Sequence, residues 1–405
     1  MKKKENTFIP VILGSDITAY SLARSFHEQY RIKSICLCMC DKGYVADSSF
    51  IETRYYPDLE DSEVAIGHLI ELGIEKGKDK KLILFGCGDW YVRTIIEYKK
   101  LLSKYFIVPY IDNTLLDEIV LKDKFYAICE KLGLDYPKTY VYDCSKDTAD
   151  PLNFDFSYPV IAKPADSARY HYAEFEGKKK IFRFENEAEL REMLNNVKRS
   201  SYNYKFLIQE MIPGDDSCMR VLTCYCDRDH KVRFAALGHT LIEDPTPSAI
   251  GNPVAILNEV NPEIIEAATK FLEHIGYIGF ANFDLKYDER DGRYKFFEIN
   301  VRLGRSNFYV TGSGFNNVKW IVDEYIENHL PEYTIANKEF IYSVVPRSVI
   351  KKYVHDGKLK EHALELWAKG RLARPLFYKG EKSLRSKLYA YGNYFNYIRK
   401  FKRYA

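Results

Sequence analysis

The sequence predicts an α/β layer joined to an α+β unit and closed by a basic segment, and three observations carry that expectation. Strand-like and helix-like patterns alternate with short connections from about residue 7 to residue 112, the pattern that builds a small parallel sheet with helices packed on it. From 113 to about 332 the order becomes helix, strand, polar loop, helix, strand and a terminal hairpin with an acidic face. From Ala336 to Ala405 there are 17 Lys and Arg against 5 Asp and Glu, so a chain of net charge +3 holds its positive excess in its last seventy residues and the rest is acidic. The expected division is therefore 1–112, 113–332 and 333–405.

A length of 405 residues, at about 150 per domain, leaves room for two to three domains. With 46% apolar and 29% charged residues, 33 Tyr and 24 Phe, the composition excludes a disordered or low-complexity chain. The longest apolar run, FIPVILG at 8–14, falls far short of the ~20 residues needed to span a bilayer. MKKKEN followed by that run imitates a secretion signal, but Pro10, Gly14 and Asp16 break it and no small-residue cleavage site follows, so a cytoplasmic protein is expected. Cys36, Cys38 and Cys40 alternate in SICLCMC and would share one face of a strand. Zinc sites favour C-x-x-C pairs with a second cluster downstream, so these are expected to be reduced core thiols.

The first layer reads as strand FIPVILG, helix ITAYSLARSFHEQY, strand SICLCMC, strand KKLILFGC, a helix from Val92 to Leu102, and strand FIVPYI. The turns Gly14-Ser15-Asp16 and GCGD at 86–89 have too few glycines for a dinucleotide fingerprint, and tight strand-to-helix turns explain them. The second part opens with one helix over LLDEIVLKDKFYAICEKLGL, then YPKTYVYD, a loop rich in Asp and Pro at 143–159, strand YPVIAKP, a polar stretch from Ala165 to Lys180, and a helix from Glu187 to Val197. Strands KFLIQEMI and MRVLTCYCD follow, then a connection from His239 to Asn258, a helix from Pro262 to Ile275 and a hairpin from Gly279 to Arg302.

The hairpin's chemistry can be worked out from its alternation. Asn282, Asp284 and Lys286 share one face of its first strand, Glu298, Asn300 and Arg302 one face of its second. A three-residue loop Arg290-Asp291-Gly292, with the glycine left-handed, sets Asp284 opposite Glu298; a two-residue turn would separate them. Two carboxylates and an amide oxygen make an all-oxygen set suited to Mg²⁺, although a solvated sheet face can carry the same residues. Lys163, fixed on the YPVIAKP strand, and Lys124 in LKDKFYAI can act as point charges on nucleotide phosphates, or lie solvated at the surface. GIEKGK at 73–78 has three residues between its glycines where a Walker A loop needs four, and no H-R-D or D-F-G occurs.

Taken in order, DKFYAICEKLGLDYP with Lys124, YPVIAKP with Lys163, QEMIPGDD at 209–216, GFANFDLKYD with Asp284 and FFEINVRLG resemble the ATP-grasp fold of carboxylate-amine ligases, with residues 1–112 similar to its preceding α/β domain. GFANFD, EINVRLGRSN and the basic stretch after VVPRS resemble most the bacterial D-aspartate ligases, which attach the amino acid to the lysine side chain of a peptidoglycan precursor. The resemblance implies ATP and Mg²⁺, with two ions expected. It implies that Lys124 and Lys163 contact the ATP phosphates, that Glu210, Met211 and Ile212 line the adenine, and that Asp216 accepts from the ribose. Asp284, Glu298 and Asn300 would hold the metal, while Arg302 and Arg305 would face the transferred phosphate or the carboxylate substrate. Many members carry several glycines in the loop after the second lysine. Here ADSARYHYAEFEGKKK has only Gly177, and Ser167, Arg169 or His171 would supply donors instead.

The implied partners are an amino-acid carboxylate donor and an anionic amine acceptor such as a UDP-linked muramyl peptide, with no nucleic acid. YAYGNYFNYIRKFKRYA interleaves aromatics with cations, as membrane-surface segments do, and is expected mainly to pack on the ligase. A ligase making dipeptides from free amino acids, and a non-catalytic nucleotide-binding protein, are the alternatives.

Overall fold

The computed structural model describes residues 7–146, 152–166, 169–170, 173–179, 181–247 and 249–405. They form two compact units: Met1–Leu116 with Asp216–Phe283 and Asn300–Ala405, and Asp117–Asp215 with Asp284–Ile299. Chain order and spatial grouping thus differ, since the basic segment after 333 belongs with the first layer.

In the first unit, strands β1 (Phe8–Leu13), β2 (Ser34–Cys38), β3 (Ile51–Tyr55) and β4 (Lys81–Gly86) form a parallel sheet in the order β3-β2-β1-β4. The helix Ile17–Tyr30 starts where expected because the Asp16 carboxylate accepts from Thr18 N–H at 2.9 Å and Ala19 N–H at 3.2 Å, satisfying donors that a helix start leaves open. Gly14, at φ +135 in the preceding turn, is needed there because a Cβ would lie 3.0 Å from that of Cys87.

Several elements differ from the sequence reading. β3 and the helix Ser62–Lys76 escaped it, because IETRY is a half-exposed edge strand with two charges. FIVPYI makes one parallel bridge, Ile83 to Ile107, since Pro109 has no N–H to extend it. The helix expected at Val92–Leu102 is two, Asp89–Glu97 and Lys99–Leu102. Cys36 and Cys38 are buried, but Cys40 lies past the strand end and is exposed, so only two of those three thiols are core.

The second unit holds an antiparallel sheet of β5 (Thr139–Asp143), β6 (Val160–Pro164), β7 (Phe182–Phe184) and β8 (Lys205–Glu210) in the order β5-β8-β6-β7. The helix Glu187–Arg199 buries Leu190, Leu194 and Val197 with Val160, Phe182 and Phe206 in its core. The single helix expected over LLDEIVLKDKFYAICEKLGL divides into Asn113–Ile119 and Lys122–Leu132, and Leu121 at the break is extended, with φ −74 and ψ 116.

A third sheet contains β9 (Met219–Cys226), β10 (Val232–Glu243), β11 (Pro253–Glu259), β12 (Gly279–Asp288), β13 (Arg293–Asn300), β15 (Ile341–Ser343) and β16 (Leu372–Ala373), in the order β13-β12-β9-β10-β11-β15-β16, with β14 (Thr334–Ile335) paired to β10. The stretch read as a connection to Asn258 is therefore mostly strand. β10 is buried almost throughout, so it lacks the alternation that marks a half-buried strand. The hairpin turn is one residue longer than expected. Asp288 O accepts from Gly292 N–H at 2.9 Å and its carboxylate from Arg290 N–H at 3.1 Å, closing the chain around residues 289–292 with Gly292 left-handed at φ +72.

Ala390, Tyr397 and Phe401 of the helix Leu384–Tyr404 join one core with Phe8, Ile12, Tyr342 and Ile350. Glu381, 2% exposed, accepts from Ser48 Oγ at 2.7 Å and Ser49 N–H at 2.9 Å in the first layer, and from Ser383 N–H at 2.9 Å and Ser386 Oγ at 3.2 Å beside it.

Candidate active site

β1 and β4 are neighbours, with Leu13 opposite Gly86, and β1 also pairs β2. Their carboxyl ends therefore lie where the strand order departs from sequence order, the place in an open α/β sheet where ligands bind. Each end carries an aspartate, Asp16 after β1 and Asp89 after β4, and each aspartate holds one of the two arginines expected to act. Arg302 Nε donates to Asp89 Oδ1 at 2.6 Å and Arg305 Nη1 to Asp16 Oδ2 at 3.3 Å. Arg302 is the less accessible, its side chain 18% exposed against 40% for Arg305. Burial alone would lower the Arg305 pKa, but Asp16 and the tyrosines 397, 44 and 342 outweigh it and raise the pKa. Both guanidiniums are already engaged with carboxylates. Cys87, beside them, has a thiol pushed well above its ordinary range by burial and is no nucleophile.

The same unit holds three further expected residues. Asp216 opens a short 3₁₀ turn and accepts from Glu243 N–H at 2.9 Å. Asn300 is the last residue of β13 and half-buried. Asn282 is 4% exposed and accepts from Thr223 Oγ1 at 3.0 Å, so it braces β12 against β9. The sequence reading missed a charge cluster here. Arg220 Nε donates to Glu259 Oε2 at 2.6 Å, and His239 lies 3.1 Å from the same oxygen through Nδ1 while its Nε2 is 2.7 Å from Ser217 O. Burial would raise the Glu259 pKa, but His239 and Arg220 overcome it and hold the carboxyl low.

In the second unit, Glu298 of β13 is paired with a lysine. Its Oε2 lies 2.9 Å from Lys122 Nζ. Lys163 Nζ lies 5.7 Å from the ring centroid of the adjacent Phe297, and Tyr126 OH donates to Phe297 O at 2.9 Å. Lys122 was not foreseen. Lys122 and Lys124 stand two apart on one helix, about 200° round its axis, so they face opposite ways; Lys124 is exposed. Asp284 is half-buried on β12. Carboxylates such as Asp284 and Glu298 are the oxygen donors Mg²⁺ takes; among the described residues no three of Asp, Glu, His and Cys gather where they could hold a metal ion.

Glu210 ends β8 as a clip. Its Oε1 accepts from Lys138 N–H at 2.9 Å and its Oε2 from Arg290 Nη2 at 2.7 Å, while Arg290 also holds Asp288. The Glu210 N–H in turn donates to Lys138 O at 3.0 Å, so the clip is reciprocal. Met211 is half-buried and Ile212 4% exposed, an apolar edge for a planar ring. Arg169 folds back on Asp166 and Tyr204; Ser167 and His171 lie outside the described residues.

Comparison with known proteins agrees with this geometry. The profile of the carbamoyl-phosphate synthase L chain ATP binding domain matches residues 247–316. The chain is 24% identical over 273 residues to the D-alanine–D-alanine ligase of Acetivibrio thermocellus, covering 58% of this chain and 63% of that protein. Among solved structures it shares its fold with the L-amino acid ligase of Bacillus licheniformis (TM-score 0.56, 15% identity, 79% of this chain and 74% of that one). The biotin carboxylase domain of Hydrogenobacter thermophilus 2-oxoglutarate carboxylase, solved with MgADP, is similar too (TM-score 0.57, 16% identity, 82% and 73%). The D-aspartate ligase of Enterococcus faecium is 38% identical over 413 residues, 98% of this chain and 96% of its own length. With the fold and the arginines on their carboxylates already in view, that match shows that the chain belongs to the D-aspartate ligase family of ATP-grasp enzymes, the ATP-dependent carboxylate-amine ligases.

Proposed function

We propose that the enzyme activates D-aspartate, or a closely similar dicarboxylic amino acid, as an acyl phosphate and attaches it to the lysine side chain of a peptidoglycan precursor such as a UDP-linked muramyl peptide in the cytoplasm. Similarity to a D-aspartate ligase along 98% of the chain carries this reading, because it includes the basic segment as well as the nucleotide-binding part. The pair of guanidiniums at the carboxyl ends of β1 and β4 supports it. A dicarboxylic donor has one carboxylate to activate and another to anchor, and Arg302 and Arg305 already make such contacts with Asp89 and Asp16.

In this reading the segments 1–112, 113–332 and 333–405 serve as preceding domain, ATP-grasp domain and a basic segment packed on the ligase. Lys124 and Lys163 neutralise the ATP phosphates; Glu210, Met211 and Ile212 line the adenine; Asp216 accepts from the ribose. Asp284, Glu298 and Asn300 hold two Mg²⁺, which would offset the phosphate charge. Arg302 steadies the phosphate in flight and Arg305 anchors the donor. The donor carboxylate takes the γ-phosphoryl group, the uncharged amine attacks the acyl carbon, and the tetrahedral intermediate expels phosphate, so no protein nucleophile is used. Positioning and charge neutralisation do most of the work of such a transfer.

Phosphate and ADP release with a panel of amino acids, with and without a UDP-muramyl peptide ending in a free lysine amine, tests the reading. D-aspartate and the precursor are expected to be required together. Equal turnover with free amino acids as acceptors would replace this reading with dipeptide synthesis.

A further inference from the structure

The last helix, Leu384–Tyr404, buries one side and leaves the other uncovered. Ser386, Ala390, Tyr397 and Phe401 face the core of their unit. Leu384, Leu388, Tyr391 and Phe395 are 75%, 70%, 51% and 56% exposed. They follow at intervals of four, three and four residues, and so fall within an arc of about 60° on the opposite side. Large apolar side chains aligned in this way are a surface with a use, where scattered ones are not.

Charge identifies the occupant. From 384 to 404 the helix has six cations, Arg385, Lys387, Arg399, Lys400, Lys402 and Arg403, and no acid. Lys400 is engaged by Asp244 at 2.7 Å and Arg385 lies 3.7 Å from Asp47; Arg385, Lys387, Arg399, Lys402 and Arg403 are all exposed, and at about 100° per residue they lie beside or along the apolar stripe. Tyr389 and Tyr404 add aromatic rings 41% and 43% exposed. A second copy laid along this stripe would bring two acid-free cationic helices together. No helix among the described residues is long and apolar enough to cross a membrane, whereas an apolar stripe flanked by Lys and Arg with aromatics suits the plane of a lipid surface.

We propose that the outer face of the helix Leu384–Tyr404 docks the enzyme on an anionic lipid bilayer, with Leu384, Leu388, Tyr391 and Phe395 entering the headgroup layer and the flanking Lys and Arg pairing with lipid phosphates. The proposal is independent of the donor and acceptor assigned above.

Co-sedimentation of the full chain with vesicles of phosphatidylglycerol and phosphatidylcholine, against vesicles of phosphatidylcholine alone, tests it. Binding is expected only to the anionic vesicles and should weaken as salt rises. Leu388→Glu with Phe395→Glu should abolish it while melting temperature and ADP formation stay unchanged. Arg385→Gln and Lys387→Gln, which keep the stripe, should each lower partitioning about fivefold. The proposal is overturned by absence of binding to anionic vesicles at low salt, by binding indifferent to both sets of variants, or by a dimer in sedimentation velocity that Leu388→Glu dissolves, which would give the stripe to a second copy.

Discussion

Arg302 and Arg305 differ in what they can do because they differ in burial and in partner. Arg302 is tucked against Asp89 and Leu303 O, while Arg305 is more open, beside Asp16. Lysine preserves the charge at either place but not the planar fork that binds a carboxylate through two parallel hydrogen bonds. Arg305→Lys is therefore expected to raise the donor KM about tenfold or more, as loss of a charged hydrogen bond worth about 1.5–3 kcal/mol requires, with the ATP KM nearly unchanged. Arg302→Lys is expected chiefly to lower kcat, as a role on the phosphate in flight requires. Steady-state kinetics of both variants separate these roles, and lost thermal stability with unchanged kinetics would make the arginines structural. Glu298 allows a sharper separation. Its pair with Lys122 is partly solvated, so Glu298→Gln should change stability by only about 0–1 kcal/mol. The same variant should lower Mg²⁺-dependent ADP formation about a hundredfold or more, because a charge lost at the reacting phosphate is felt fully. Near wild-type turnover in the folded variant would remove Glu298 from the metal set.

At the scale of elements, Asp16 serves two masters, the start of the helix Ile17–Tyr30 and the guanidinium of Arg305. Asparagine caps a helix as well as aspartate does, so two substitutions divide the roles. Asp16→Ala should lose about 1 kcal/mol of stability in thermal or denaturant unfolding, Asp16→Asn should lose little, and both should alter the donor KM if Arg305 anchors the donor. This residue also shows how far the sequence could be read. FIPVILG, ITAYSLARSFHEQY and the helix after Asn261 declare themselves because their periodicity and boundaries agree, and the structure places them within a residue of the reading. β10 and β11 stayed hidden because burial on both faces removes alternation, and β3 because it is a charged edge. At the site, Lys163 and Glu298 were legible as fixed positions on strands. The pairing of Lys122 with Glu298 was not, since which lysine of a helix meets a strand is set by the helix's packing. Nor were Asp16 and Asp89 legible as partners of the arginines, because those contacts join residues more than 200 positions apart.

Across the whole chain, the basic segment joins the first layer through Glu381, a carboxylate that is 2% exposed and accepts from Ser48, Ser49, Ser383 and Ser386. A buried carboxylate without donors would be a liability; one with this many is a lock that only its ionised form can close. Burial pushes the Glu381 pKa up, but the donors from Ser49, Ser383 and Ser48 more than cancel it, leaving the pKa below its ordinary value of 4.5. A carboxyl whose pKa is lower when folded binds its proton more readily in the unfolded chain, so its stabilisation is complete above the unfolded value and is lost as pH falls through the folded one. Unfolding followed against pH should accordingly show a stability plateau near neutrality that declines below about pH 4.5, with Glu381 one contributor to the slope. Glu381→Gln keeps the shape but turns one acceptor oxygen into a donor facing serine and backbone N–H groups. It should cost about 1–3 kcal/mol at pH 7 and make the acid limb shallower than in the parent chain. If the segment after Ala373 is part of the first layer's cooperative unit, this loss will appear in a single transition with the core, since Phe401 and Tyr397 share that core with Phe8 and Ile12. A separate early transition in Glu381→Gln, with the rest melting as before, would instead make the segment an independently docked appendage.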